Sequence, residues 1–160
     1  MGMPYSADEI FQMAEQIERN GAEFYRLAAK TAGSADARDL LNRLAKMEDN
    51  HIELFAQLRK QLPEEAARPT VFDPYGEAAL YLRAAADTHV FNVHKDIKEV
   101  LAGSESVKEI IDLAIRFEKD SIAFFLGMQD AAPEELGREK IGILIQQEKQ
   151  HVLELNAMLQ

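Results

Sequence analysis

The sequence contains the motif Glu-x-x-His twice, each time within a segment that has the apolar spacing of a helix. The copies are Glu48 to His51 and Glu148 to His151, so they lie 100 residues apart. Residues three and four positions apart share one face of a helix. In the first copy this face reads Leu41, Leu44, Glu48, His51, Phe55, Leu58 and Leu62. The pattern therefore predicts that each charged motif points into a helical core.

A further glutamate precedes each motif by the same distance along the chain. Glu18 lies 30 residues before Glu48, and Glu118 lies 30 residues before Glu148. The segments around these glutamates align without a gap, as AEQIERNGAEFY with AIRFEKDSIAFF. Their helix faces are otherwise apolar or small. We interpret the chain as two copies of one helical hairpin.

Start signals in the sequence predict four long helices. Capping boxes or caps lie at residues 6–9, 33–36 and 106–109, and the helices that they begin are expected to end near Ala32, Leu62 and Gln129, respectively. A fourth helix is expected to begin at Pro133 and to end near Met158. The connection between the two hairpins contains Pro63, Pro69 and Pro74, then an additional helix from about Gly76 with a break near Asn92. The prediction is an all-α, four-helix bundle of two antiparallel hairpins joined by a long crossover, forming one domain over residues 1–160.

Charge and composition exclude several classes of function. A net charge of -10 with no basic run argues against nucleic acid and against an anionic membrane surface. No secretion signal or membrane-spanning run is evident, so we expect a cytoplasmic protein. The absence of cysteine excludes disulfides, thiolate zinc sites and iron-sulfur clusters. Any metal must therefore bind to carboxylates and imidazoles.

Four glutamates inside one bundle need positive charge beside them. Each unpaired buried carboxylate costs several kcal/mol, and repulsion between like charges adds to that cost. Two divalent ions would balance Glu18, Glu48, Glu118 and Glu148, with neutral His51 and His151 as further ligands. Ligation that is rich in oxygen suits iron or manganese. A single Glu-x-x-His is usually a solvated helix face, but two copies with matched partners favour the metal site.

Several other residues have more than one interpretation. Tyr25 is either ordinary core or bonds a ligand carboxylate through its hydroxyl. Asn20 and Asp120 either orient a ligand imidazole or lie on the surface. Gly21 and Ser121 are expected to leave room beside the metals for water, dioxygen or peroxide. The remaining polar residues are expected to be solvent-facing in the case of Glu15, Glu23 and Glu53, and structural or exposed in the case of His89 and His94.

The spaced glutamates and the two Glu-x-x-His motifs resemble the ferritin-like di-iron carboxylate pattern, and AEQIERNGAEFY and FEKDSIAFF are most similar to the rubrerythrin family. The resemblance implies two iron ions, with manganese or zinc as substitutes, bound by Glu18, Glu48, His51, Glu118, Glu148 and His151. Glu48 and Glu148 would bridge them. It implies reduction of hydrogen peroxide or dioxygen, and a homodimer.

Two departures from the rubrerythrin pattern bear on the activity. The sequence has no cysteine-ligated rubredoxin domain, so electrons are expected from an external donor. Ser121 stands where rubrerythrins have an additional glutamate. Two alternative functions therefore stay open: a ferroxidase or iron-handling protein, and a non-catalytic bundle that metals stabilise.

Overall fold

Helices make up the regular structure of the chain. The computed structural model describes residues 6–64, 77–91, 96–103, 105–131 and 137–160. Within these ranges there are five α-helices, one complete 3-10 turn and no strand. They are α1 (Ala7–Thr31), α2 (Ala35–Lys60), α3 (Glu77–Asp87), the 3-10 turn (Ile97–Glu99), α4 (Val107–Ala131) and α5 (Arg138–Ala157). The all-α prediction is confirmed.

Local capping explains where three of the long helices begin. At the start of α1, the Ser6 hydroxyl accepts from the Glu9 N–H at 3.2 Å, and the Glu9 carboxylate accepts from the Ser6 N–H at 2.7 Å. Ser106 and Glu109 make the same reciprocal pair before α4. Ser34 caps α2 by accepting from the Ala37 N–H at 3.1 Å. These predicted start signals are confirmed, since each satisfies backbone donors that a helix leaves unpaired.

The last helix is described from Arg138 onwards, with Gly137 as its N-cap. Gly137 has a φ of 86°, in the left-handed region that favours glycine. A Cβ there would also lie 2.7 Å from a methyl carbon of Leu58. The predicted start at Pro133 and the predicted break at Asn92 lie outside the described residues.

The long helices pair as two antiparallel hairpins. Arg59, near the end of α2, bonds Asp8 at the start of α1 with an Nε to Oδ1 distance of 2.5 Å. In the second hairpin, the Gln129 amide near the end of α4 donates to the carbonyl of Arg138 at the start of α5 at 3.1 Å. Each hairpin therefore brings the middle of one helix beside the middle of its partner.

The crossover helix α3 packs on the outside of α4. The Tyr81 hydroxyl donates to the Ala123 carbonyl at 2.8 Å, and Leu82 is buried. None of the described helices is both long enough and apolar enough to cross a membrane.

Aromatic rings fill the bundle on both sides of its middle. On one side, Phe55 packs against Phe125 with ring centroids 5.2 Å apart. On the other side, Phe91 from the crossover lies 4.7 Å from Phe24 and 5.6 Å from Phe117. These layers enclose the level at which the Glu-x-x-His motifs lie.

Candidate metal centre

The four long helices bring the six predicted ligands together in the core. All six side chains are almost completely buried: Glu18, Glu48, Glu118 and Glu148 are 0% exposed, and His51 and His151 are 2% exposed. The position of both motifs on the inner helix face agrees with their apolar spacing. Their role as metal ligands stays a prediction at this point.

Two overlapping groups of side chains converge, each around one imidazole nitrogen. The Nδ1 atom of His51 lies 3.3 Å from Glu18 Oε2, 3.2 Å from Glu48 Oε2 and 3.0 Å from Glu148 Oε1. We call Glu18, Glu48, His51 and Glu148 the His51 half. Within it, one ligand atom from each residue lies within 4.8 Å of all the others.

The second group, which we call the His151 half, consists of Glu48, Glu118, Glu148 and His151. The Nδ1 atom of His151 lies 3.3 Å from Glu118 Oε1, 3.3 Å from Glu48 Oε1 and 2.9 Å from Glu148 Oε2. The two imidazole rings are nearly parallel, with centroids 5.8 Å apart. Each ring therefore points the same nitrogen into the cluster.

Glu48 and Glu148 belong to both halves, and each divides its two oxygens between them. Glu48 turns Oε2 towards His51 and Oε1 towards His151. Glu148 does the reverse, with Oε1 towards His51 and Oε2 towards His151. A carboxylate that offers one oxygen to each of two neighbouring positions is arranged to bridge two cations.

Many polar atoms of this cluster lack a hydrogen bond among the described residues. The buried atoms without a partner are Glu18 Oε1, Glu48 Oε1, Glu118 Oε2, both carboxylate oxygens of Glu148 and both ring nitrogens of His151. Buried polar groups are normally satisfied, because leaving one unpaired costs free energy. Cations between the carboxylates would satisfy most of these atoms, so the donor set fits metal ions.

Protons replace cations in the metal-free cluster. Burial, together with repulsion from Glu48 and Glu148, raises the pKa values of Glu18 and Glu118 well above the ordinary range. Burial alone would lower the pKa of His151, but the Glu118 and Glu148 carboxylates close to its Nδ1 favour the charged ring and raise the pKa to about 12. The cluster therefore holds protons that divalent ions would displace.

Tyr25 joins the two hairpins at the edge of the cluster. It is fully buried on α1, and its hydroxyl donates to Glu118 Oε1 on α4. Burial and the neighbouring Glu118 raise the pKa of Tyr25, so the phenol stays protonated as a donor. Both interpretations of Tyr25 hold together, since the ring is core and the hydroxyl bonds a predicted ligand.

Gln147 contacts the cluster although its sequence position did not suggest it. Its side chain is exposed, and its Oε1 lies 2.9 Å from His51 Nε2. The sequence feature that could have indicated this contact is that Gln147 directly precedes Glu148. Met47 occupies the equivalent position in the other copy of the repeat. This contact crosses from α5 to α2, and the sequence does not specify such pairings.

Asn20 and Asp120 form hydrogen bonds with the backbone of the crossover and not with the imidazoles of His51 or His151. The Asn20 amide donates to the Phe91 carbonyl at 3.0 Å, and the Asp120 carboxylate accepts from the Val90 N–H at 2.8 Å. Asn20 is also buried, so its predicted surface location is wrong. The equivalent positions of the two repeats thus share a different task, which is to fix the connection between the hairpins.

His89 is structural, as one of its two interpretations predicted. It is buried, its Nδ1 accepts from the Phe91 N–H at 3.0 Å, and its Nε2 donates to Ser121 Oγ at 3.0 Å. Burial lowers its pKa to about 4, so the ring is neutral. His94 lies outside the described residues.

The space expected beside Gly21 and Ser121 is filled. A Cβ on Gly21 would lie 2.2 Å from a ring carbon of Phe117, so that ring occupies the place of the missing side chain. The Ser121 hydroxyl donates to the Phe117 carbonyl at 2.8 Å. The expectation of room for small molecules beside Gly21 is therefore wrong, and beside Ser121 it stays a prediction.

Glu15 is buried, contrary to the prediction that it faces solvent. Only 5% of it is exposed, and its carboxylate pairs with Arg19 at 3.0 Å and with Arg59 at 3.6 Å. The arginine at the end of α2 makes this burial tolerable, because it supplies the opposite charge. Glu53 is exposed as predicted, and Glu23 is half-buried.

The fold and the cluster define a class: helical bundles whose core contains carboxylate and imidazole groups that can hold metal ions. The sequence matches the rubrerythrin family over residues 9–159, and the chain belongs to that family. Its fold is similar to that of a ferritin-like diiron-carboxylate protein from Thermotoga maritima, with a TM-score of 0.76 and 24% identity over 99% of this chain and 97% of that chain. No curated protein is significantly similar to the chain. The predicted ferritin-like bundle is confirmed.

Proposed function

We propose that this protein is a non-haem di-iron oxidoreductase that reduces hydrogen peroxide or dioxygen with electrons from a separate donor. Glu18, Glu48, His51, Glu118, Glu148 and His151 would hold two iron ions. The observation that carries the proposal is the division of oxygens by Glu48 and Glu148, one towards each imidazole. A structural ion pair would not need that arrangement, whereas two adjacent metal ions do.

The donor set and its charge support iron. Each half offers three carboxylates, two of them shared, and one imidazole nitrogen, a combination suited to iron or manganese. Two divalent ions carry four positive charges, which balance the four carboxylates when both imidazoles are neutral. Membership of the rubrerythrin family supports iron among these metals. Manganese or zinc would be substitutes.

When bound, two ferrous ions would together supply two electrons and Lewis acidity for cleaving an O–O bond. The residues of the chain prepare that chemistry. Glu48 and Glu148 keep the two metal positions adjacent, and the aromatic layers of Phe55, Phe125 and Phe117 limit contact with bulk water. Tyr25 holds Glu118 through a hydroxyl that keeps its proton.

The electron donor is proposed to be a separate molecule. Thiolate iron centres require cysteine, and the 160 residues contain none. A donor outside these 160 residues would therefore reduce the centre after each turnover. The expected homodimer and the cytoplasmic location stay predictions.

Anaerobic loading with two equivalents of Fe(II), followed by limiting hydrogen peroxide, tests the proposal. We expect one peroxide to oxidise two protein-bound Fe(II) ions and consume two protons, giving two Fe(III) ions and two waters. Absorption spectra would follow the iron, and a peroxide assay would follow the oxidant. Re-reduction by dithionite should permit a second cycle without loss of iron.

Glu48→Ala and Glu53→Ala form a matched pair for this experiment, because both remove a glutamate from α2 but only Glu48 is buried. Glu53→Ala should behave as wild type, and Glu48→Ala should not turn over. Oxidation of a large excess of Fe(II) with growth of a mineral would instead identify an iron-handling protein. Metal binding without any oxidation by peroxide or dioxygen would leave only a structural role.

A further inference from the structure

The imidazoles of the two proposed ligands differ in the hydrogen-bond partner of the ring nitrogen that faces away from the cluster. His51 turns Nδ1 into the cluster, so its Nε2 carries the proton when Nδ1 is a metal ligand. That Nε2–H donates to Gln147 Oε1, 2.9 Å away. The bond fixes both the tautomer and the orientation of the His51 ring.

His151 has no equivalent acceptor within the part of the chain that the structure describes. Its Nδ1 also faces the cluster, but its Nε2 is buried without a hydrogen-bond partner among the residues that the structure describes. In the repeat, Met47 occupies the position equivalent to Gln147. A thioether is a weak acceptor, so the residue at that position supplies no substitute for the glutamine amide.

A hydrogen-bond acceptor for the ring N–H of a metal-bound imidazole increases metal affinity for two reasons. It holds the ring in the binding orientation, and it makes the ligating nitrogen more basic. Tyr25 does not provide the same advantage to the other half. Its hydroxyl donates to the Glu118 oxygen that faces His151, and a donated bond lowers the basicity of that oxygen.

We propose that Gln147 is a positioning residue that makes the two metal positions unequal, so that the His51 half binds its metal about ten times more tightly than the His151 half. The inference rests on the proposed function, because it requires two metal ions in the cluster. The His51 half therefore fills first, and the His151 half is the one that exchanges metal with solution.

Anaerobic titration with Co(II) alone measures the two dissociation constants without any turnover. We expect two binding steps in the wild-type protein, separated by about tenfold. Gln147→Met, which makes the two repeats identical at this position, should weaken the tighter step about tenfold and merge it with the weaker one. Gln147 is exposed, so this substitution does not disturb the packed core.

Gln146→Met is the matched control, because it makes the same exchange at an adjacent exposed position of α5. It should leave both steps unchanged. Gln147→Glu retains an acceptor oxygen and should restore the tighter step. In the Co(II) protein, the shifted Nε2–H resonance of His51 should be sharp in wild type and Gln147→Glu, and broadened by solvent exchange in Gln147→Met.

The outcomes separate this inference from the proposed function. Two equal binding steps in the wild type, or a Gln147→Met variant with unchanged steps, would overturn the role of Gln147 while leaving a two-metal centre intact. Failure to bind any Co(II) would overturn the proposed function itself. Equal weakening by Gln146→Met and Gln147→Met would show a general surface effect and would also reject the inference.

Discussion

The hairpin α1–α2 and the hairpin α4–α5 present the same proposed ligands at the same level but support them differently. Glu18, Glu48 and His51 have their counterparts in Glu118, Glu148 and His151, whereas Tyr25 is matched by Phe125 and Gln147 by Met47. In the proposed centre, Glu48 and Glu148 would serve both metal positions, so changing either of them would affect both. A supporting contact acts on one ligand only, so the two halves can differ there without upsetting the charge balance.

The shared ligands should show the most severe loss. Glu48 offers oxygens to both halves, whereas Glu18 belongs only to the His51 half. We expect Glu48→Ala to lose both metal ions and Glu18→Ala to retain one. Elemental analysis of the desalted protein measures the metal content, and circular dichroism checks that helix content persists. Equal metal content in the two variants would show that the division of oxygens does not determine binding.

The free energy of unfolding should depend on pH in the metal-free protein more strongly than in the metal-loaded protein, because protons compensate the buried carboxylates of both halves only when metal is absent. In the metal-free protein the pKa values of Glu18 and Glu118 are raised above 4.5 and that of His151 above 6.5. The folded state then binds more protons than the unfolded state, so stability falls as pH rises above these values.

Between about pH 5 and pH 8, we expect the Tm of the metal-free protein to fall by more than about 4 °C. The metal-loaded protein should not show this fall, because cations have replaced the protons. Differential scanning calorimetry of both forms measures the effect. A metal-free Tm that rises over this interval would contradict the raised pKa values.

Met47→Gln should reduce the difference in metal affinity between the two halves by strengthening the weaker one. If a glutamine at position 47 reaches His151 as Gln147 reaches His51, the weaker Co(II) step should tighten about tenfold. The tighter step should be unchanged, because Gln147 still supports His51. Isothermal titration calorimetry would measure both steps. Tightening of both together would indicate a change in the whole cluster.

Tyr25→Phe makes the repeats identical at the other supporting position named above, and we expect the smallest effect there. The loss of the hydroxyl frees Glu118 Oε1 as a stronger ligand but removes the contact that holds it. These effects oppose each other, so the dissociation constant of the His151 half should change by less than about tenfold. A larger loss in the same titration would show that orientation of Glu118 is the dominant effect.

The sequence predicted the helices and the six side chains that converge in the core, because both depend on local regularities. Capping boxes at Ser6 and Ser106 determine where helices begin, and the spacing of apolar residues determines which face of each helix is inward. The internal repeat then indicated that Glu18 and Glu118 belong with the Glu-x-x-His motifs. None of these signals requires knowledge of how the helices pack.

Contacts between helices were decided only by the tertiary structure. The burial of Glu15 depends on Arg59, the support of His51 on Gln147, and the tether at Asn20 on the Phe91 carbonyl. Each pairs residues that are distant in the sequence, and each depends on the rotation and offset of one helix relative to another. Helix periodicity fixes the inward face of a helix, but the neighbouring helices determine which atoms that face meets.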